Sequence, residues 1–244
     1  FGGWDALDLD RLTELRLRVD RIRHIPMLSR RALPTGLQRT LREYLDHYLR
    51  LYDAARRVSG ARLLIDSSKH ASLAFCLRWA HLAGRLDLRV VHVVRDSRGV
   101  AVSWAKQVRR PEAVDGGEEY MAQWPSSKVA VHWNAENGAY LLLGRHGVPV
   151  HLMRYEDFLD DPVGSLRRIA DFAGLPVDER ALSFLTPRQA ILSANHTASG
   201  NPMRFQTGPI ALRPDNGWRS RISPKDRKTV TALTAPLLRY YGYA

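Results

Sequence analysis

The amino-acid sequence predicts an α/β fold, a parallel sheet flanked by helices. Short β-branched runs alternate with helical segments over residues 61–174, the alternation that parallel strands demand because each crossover takes up a helix. The run VVHVV at 90–94 is apolar enough for a strand covered on both faces. Polar clusters follow three strands directly, at 66–70, 95–103 and 154–157. Ligands of open α/β sheets sit beyond the carboxyl ends of the strands, so the three clusters are expected on one rim.

Residues 8–24 and 36–58 repeat apolar residues at helical spacing, with Pro26, Pro34 and Gly36 separating the two helices. ARLLID at 61–66 follows Gly60 and reads as a strand. The next helix runs over 67–84, with Ser67 and Ser68 placed to cap its first turn and Gly84 to end it. LRVVHVV at 88–94 is the second strand, and a helix over 97–110 follows it. A glycine-rich acidic loop, 111–119, leads to a long helix over 126–147 and a third strand, VPVHLMR, at 148–154. Pro162 stands near the start of a helix over 163–174. Residues 186–224, dense in Gly, Pro, Asn and Arg, read as irregular, and so long a stretch without a helix works as a lid or is disordered. A helix over 225–243 closes the chain.

The 244 residues suffice for one substantial core. Lysine and arginine total 37 against 25 acidic residues, a formal charge of +12, and only five of the 37 are lysine. Arginine presents a planar fork of donors that suits phosphate and sulfate, although genome composition produces the same bias. The lone Cys76 excludes an internal disulfide and a cysteine metal cluster, and suits a reducing compartment. No apolar run reaches the roughly 18 residues of a membrane span and no signal peptide opens the chain. The expectation is a cytoplasmic protein, and the start on Phe1 reads as a fragment or a trimmed chain.

A charged side chain that continues a buried strand must find an anion or reach water. Asp96 is placed to cap the next helix, and Ser103 lies about two turns along it, roughly 12 Å of axial rise from Arg95. A phosphate beside that turn could accept from both; an arginine paired with a carboxylate and a serine facing solvent fit the same spacing. DSSKH at 66–70 joins Asp66, two hydroxyls, Lys69 and His70 around a helix N-terminus. Lys69 suits neutralisation of a transferring group, and Asp66 or His70 the removal of a proton from an attacking hydroxyl; plain capping explains the serines equally well. Tyr155, in RYEDF, either stacks on a base or packs structurally. GNPMRFQTG at 200–208 carries Arg204 and Phe205 on flexible backbone, as a closing loop does. Trp104, Trp124 and Trp133 offer walls for an aromatic-lined pocket, with core packing the alternative for at least one.

In this order LLIDSSKH, VVHVVRDSRGVAVSW, LMRYEDFLDDPVGSLRRIADFAGL and GNPMRF with the later W and YYGY resemble the sulfotransferases that use 3′-phosphoadenosine 5′-phosphosulfate (PAPS), most of all their bacterial branch. The resemblance covers about residues 60–244. It implies a P-loop-NTPase-like parallel sheet, one sulfotransferase domain over 1–244, an acceptor-side helical region at 1–60 and a lid loop at 186–224. Arg95 and Ser103 match the arginine and serine that hold the 3′-phosphate, Tyr155 the tyrosine near the adenine, and Gly200 and Arg204 the loop that closes over the same phosphate. Here that loop reads GNPMR in place of the RKG of the animal cytosolic enzymes. Asp66, Lys69 and His70 occupy the place of the family's catalytic groups. Residues 1–60 contain no strand with a Gly/Ser/Thr-rich 5′-phosphosulfate loop, so the chain is expected to lack the first strand of the sheet and that loop.

The implied activity is transfer of a sulfonate group from PAPS, as co-substrate and without a metal, to a hydroxyl or amine of a small-molecule, carbohydrate or lipid acceptor. Three rivals stand beside it. A basic nucleic-acid-binding module asks for arginines along one face with interleaved aromatics, whereas these are scattered through all the helices. A nucleotide kinase asks for a Walker loop and magnesium ligands, and neither motif is present. An inactive nucleotide-binding fragment fits every motif.

Overall fold

The computed structural model describes residues 3, 7–67, 70–111, 119–194, 202–214 and 216–243, with Arg204 described by its backbone alone. Its elements are α1 (Leu9–Val19), a 3-10 turn (Ile22–His24), α2 (Ile25–Leu28), α3 (Thr35–Ser59), α4 (Ala71–Leu82), β1 (Val90–Val94), α5 (Ser97–Trp104), α6 (Ser126–Arg145), β2 (Val150–Arg154), α7 (Tyr155–Asp160) and α8 (Pro162–Ala173). They continue with β3 (Leu185–Thr186), β4 (Gln189–Leu192), β5 (Gly208–Ala211), α9 (Trp218–Arg221) and α10 (Pro224–Tyr240). The chain divides into two compact units, one of Phe1–Val90 with Gly138–Val150, the other of Val91–Asn137 with His151–Ala244.

The first unit is helical. Asp8 starts α1 by accepting from the Arg11 amide at 2.8 Å, and α3 stops at Gly60, whose φ of 65° is a left-handed conformation that glycine adopts without strain. Apolar residues at helical spacing turn Leu15 and Val19 of α1, Leu28 of α2, Tyr44 of α3 and Phe75 of α4 into one core. The Arg11 guanidinium forks onto Glu43, with both bonds at 2.7 Å, and joins α1 to α3. Inside the unit Arg78 is held by carbonyls, donating from Nε to His146 at 2.7 Å and from Nη1 to Leu28 at 3.3 Å.

Two expectations fail in this unit. Residues 61–67 have no regular secondary structure, where a strand over 61–66 was expected. A strand keeps its form through a ladder partner; among the described residues no strand pairs with this run, and Ile65 is 86% exposed. The following helix begins at Ala71 with His70 as N-cap and no side-chain cap bond, so Ser67 stands ahead of the first turn; Ser68 lies outside the described residues.

β1 and β2 form a parallel pair, and all but the first residue of each strand belongs to the second unit. β1 is covered on one face, not two: His92 and Val94 are buried while Val91 and Val93 are exposed, as the two-residue period of a strand dictates when one side has packing partners. His92 is accommodated by a 2.8 Å hydrogen bond from Nε2 to Asn137 Oδ1 and the edge of Tyr241. α5 ends at Trp104, short of the expected 110. It packs on α10, where the buried hydroxyls of Ser97 and Thr234 meet at 2.8 Å. Asp161 caps α8 through the Gly164 amide at 2.9 Å, with Pro162 in the first turn.

The segment 186–224 is not irregular throughout. β3, β4 and β5 form an antiparallel sheet in that order, with Leu185 opposite Ala190 and Ala190 opposite Ile210. Leu185 and Ala190 are both buried, so two side chains suffice to set the register of strands too short to show a pattern.

Phe75 is fully buried at the centre of the helical core. Phe75→Ala is expected to lower unfolding stability by about 3–5 kcal/mol, read as a reduced denaturant midpoint at unchanged slope.

Candidate functional site

β1 passes into α5 through Arg95 and Asp96, two adjacent opposite charges with separate partners. Asp96 is the N-cap: its Oδ1 accepts from the Arg98 amide at 2.9 Å. The same carboxylate receives the fork of the Arg98 side chain, from Nε at 2.9 Å and Nη2 at 2.7 Å. Both side chains are largely buried, and the hydrogen bonds to Asp96 hold the Arg98 guanidinium above the usual arginine range. Arg98 Nη2 also donates to the Tyr243 carbonyl at 2.8 Å, and the guanidinium lies over Trp218 at 4.9 Å.

Arg95 turns the other way. Its guanidinium carbon is 5.1 Å from the centre of the Tyr155 ring. Its Nε and Nη2 run beside Gly99, where an added Cβ would stand 3.4 Å from each and 3.1 Å from Cδ1 of Trp218. Gly99 and Ser103 are four residues apart on α5 and share a face. The guanidinium therefore lies on the Ser103 face of the helix, about one turn below that exposed hydroxyl. An aromatic ring, bare helix backbone, a fork of N–H donors and a hydroxyl are a suitable set for a phosphate attached to a flat heterocycle.

The chain's last residues brace this strand end. The Tyr243 hydroxyl lies 2.5 Å from Glu156 Oε2 and 3.2 Å from the Val94 carbonyl, and burial, then Glu156, push the Tyr243 phenol above its usual range. Arg154 stacks over the Tyr243 ring at 4.8 Å, and Trp133 Nε1 donates to the Arg95 carbonyl at 3.0 Å.

Of the residues singled out from sequence, Arg95, Ser103 and Tyr155 all stand in the second unit, and the structure brings Arg95 onto Tyr155 and the Ser103 face. Asp66 and His70 belong to the first unit. Asp66 accepts a hydrogen bond from the Tyr52 hydroxyl, and burial together with this carboxylate raises the Tyr52 pKa. Lys69 and Gly200 lie outside the described residues. Arg204 stands on a 3-10 turn, Pro202–Phe205. Trp133 packs in the interior, 5% exposed, while Trp104 and Trp124 stack on each other at 4.3 Å with Lys128 over the second ring. Sequence reasoning missed Gly99, Arg98 and the Glu156–Tyr243 pair. A glycine one turn before Ser103, in a helix that has no use for it otherwise, was the available signal for the first.

A family model described as "Sulfotransferase domain" matches residues 67–207, more than half of the chain. Among curated proteins, human carbohydrate sulfotransferase 3 is 29% identical over 174 residues, which cover 65% of this chain and 34% of the relative. Carbohydrate sulfotransferase 3 of Tetronarce californica is 23% identical over 179 residues, 65% of this chain and 36% of the relative. Human carbohydrate sulfotransferase 2 is 26% identical over 192 residues, 65% of this chain and 35% of the relative. The matched region thus spans about a third of the length of these relatives. No solved structure matches the chain.

Burial lowers the His92 pKa below its ordinary 6.5, against the opposing hydrogen bond with Asn137. The unfolded chain then binds more protons than the folded one, so the His92 contribution is full above about pH 6.5 and is lost as pH falls through the folded value. Denaturant titrations between about pH 5 and 7.5 are expected to show a shallower acid-side loss of stability in His92→Gln than in the parent.

Proposed function

Because the chain belongs to the sulfotransferase domain family, we propose that it transfers a sulfonate group from PAPS to a hydroxyl of a carbohydrate. The observation that carries the donor half is the Arg95 guanidinium, laid along the Ser103 face of α5 and over Tyr155. In this reading Arg95 and Ser103 hold the 3′-phosphate, Tyr155 lies near the adenine, and Gly200 and Arg204 close over the phosphate. The acceptor half is supported by the similarity to proteins described as carbohydrate sulfotransferases.

The reaction is an in-line displacement. The acceptor oxygen forms a bond to sulfur as the bond between sulfur and the bridging phosphate oxygen breaks, and adenosine 3′,5′-bisphosphate leaves with the electron pair. The acceptor's proton passes to Asp66 or His70, and Lys69 neutralises charge on the moving group. Positioning and charge neutralisation supply most of the rate in this scheme, as in phosphoryl transfer. A nucleic-acid-binding module asks for arginines along one face with interleaved aromatics, whereas the 32 arginines of this chain are scattered through its helices.

Calorimetry with adenosine 3′,5′-bisphosphate tests the donor site. Arg95→Ala is expected to weaken binding by about 10-fold or more and Ser103→Ala by about 2- to 10-fold; a parent protein with no affinity for the bisphosphate overturns the reading. For the catalytic role, Lys69→Ala is expected to cut kcat by about 100-fold with little change in bisphosphate affinity. An unchanged kcat removes Lys69 from the mechanism.

A further inference from the structure

The second unit contains a groove of about 620 Å³ between α9 and the first turns of α10, lined by Arg219, Ile222, Pro224, Arg227, Lys228 and Thr231 among others. That volume lies within the range of ligand-binding pockets. Three cations meet in the groove, and no acidic residue lines it. Arg219, Arg227 and Lys228 are exposed, and among the described residues none of the three has a carboxylate partner. The one acid of α9 and α10, Asp226, is taken up by the N-cap of α10: Ser223 Oγ donates to its Oδ2 at 2.6 Å and accepts from its amide at 3.0 Å. Arg11, Arg78 and Arg98 differ, since internal carboxylates and carbonyls engage them.

The groove is also partly prearranged. The Arg219 guanidinium carbon stands 5.2 Å from the centre of the Trp218 ring. That ring is a fixed surface, because Trp218 is buried and Arg98, bound to Asp96, lies over it as well. Three like charges around one hollow repel each other, and a bound anion removes that cost. The forks of Arg219 and Arg227 match tetrahedral oxyanions, with Lys228 a point charge beside them. Thr231, one turn beyond Arg227, adds a hydroxyl donor. A phosphate ester carries about −1.5 to −2 near neutral pH, so linked phosphates supply the most neutralisation in the least length. The volume far exceeds the ~30 Å³ of one water molecule, and a single tetrahedral ion would leave most of the groove open.

We propose that the groove between α9 and α10 is a second anion site, separate from Arg95, that binds a soluble polyphosphate. Arg219 and Arg227 fork onto different phosphate groups, and Lys228 neutralises the charge between them. The site uses neither donor nor acceptor of the transfer reaction, so it stands or falls apart from the sulfotransferase reading.

Calorimetry with inorganic triphosphate tests the site in an Arg95→Ala background, which removes the donor-phosphate contact. Triphosphate is expected to bind, and orthophosphate to bind about 10-fold more weakly or less. Arg227→Ala and Lys228→Ala are each expected to weaken triphosphate binding by about 3- to 10-fold. Lys225→Ala and Arg239→Ala remove exposed cations of the same helix outside the groove, and are expected to change binding by less than about 2-fold. Absence of triphosphate binding, orthophosphate binding as tight as triphosphate, or equal weakening by the groove and control substitutions overturns the proposal; the last result assigns the affinity to the overall charge of the chain. Thermal unfolding confirms that each variant folds, and if one groove variant does not, the other decides.

Discussion

The forked ion pair of Asp96 and Arg98 is the interaction on which the strand end depends. A buried pair of this kind contributes little net stability, because desolvation offsets most of the attraction; its consequence is geometric. Asp96 fixes the first turn of α5 by accepting from the Arg98 amide, and the Arg98 side chain folds back onto the same carboxylate. Asp96 thereby accepts three hydrogen bonds, which leaves no geometry for a second fork. Arg95, its neighbour, is left to run along Gly99 and under Tyr155. Had the carboxylate paired with Arg95, the guanidinium would be folded back at the start of the helix and not aligned with Ser103.

Bracing from elsewhere in the chain follows from the same arrangement. Arg98 reaches the Tyr243 carbonyl and stacks on Trp218, and Tyr243 reaches Glu156, the residue after Tyr155. Trp218 also touches the space a Gly99 side chain would fill. Residues more than a hundred positions apart thus hold the Arg98 guanidinium in place, and with it the turn from which Arg95 projects.

The sequence made β1, β2 and α6 legible because each carries its own pattern: β-branched runs for the strands, and length with helical composition for the helix. It also made Arg95, Asp96 and Ser103 legible, since charge after a buried strand is anomalous locally. What it did not disclose is relational. The run at 61–66 has strand composition, yet a strand exists only with a partner. Arg98 read as one arginine among 32, because its distinction is the carboxylate two residues back and a carbonyl 145 residues on. Tyr44 and Tyr48 were legible as a helical face, whereas the Asp20 oxygen beside them belongs to a different helix end, 24 residues earlier.

Net charge is a poor guide to the ligand for a similar reason. The formal +12 suggests an anion-binding surface, but an arginine matters to a ligand only after its internal partners are subtracted. Arg11 is engaged by Glu43 and Glu14, Arg78 by two carbonyls, and Arg98 by Asp96. These guanidiniums organise helices. Burial and pairing, not composition, therefore set the field that a bound molecule meets.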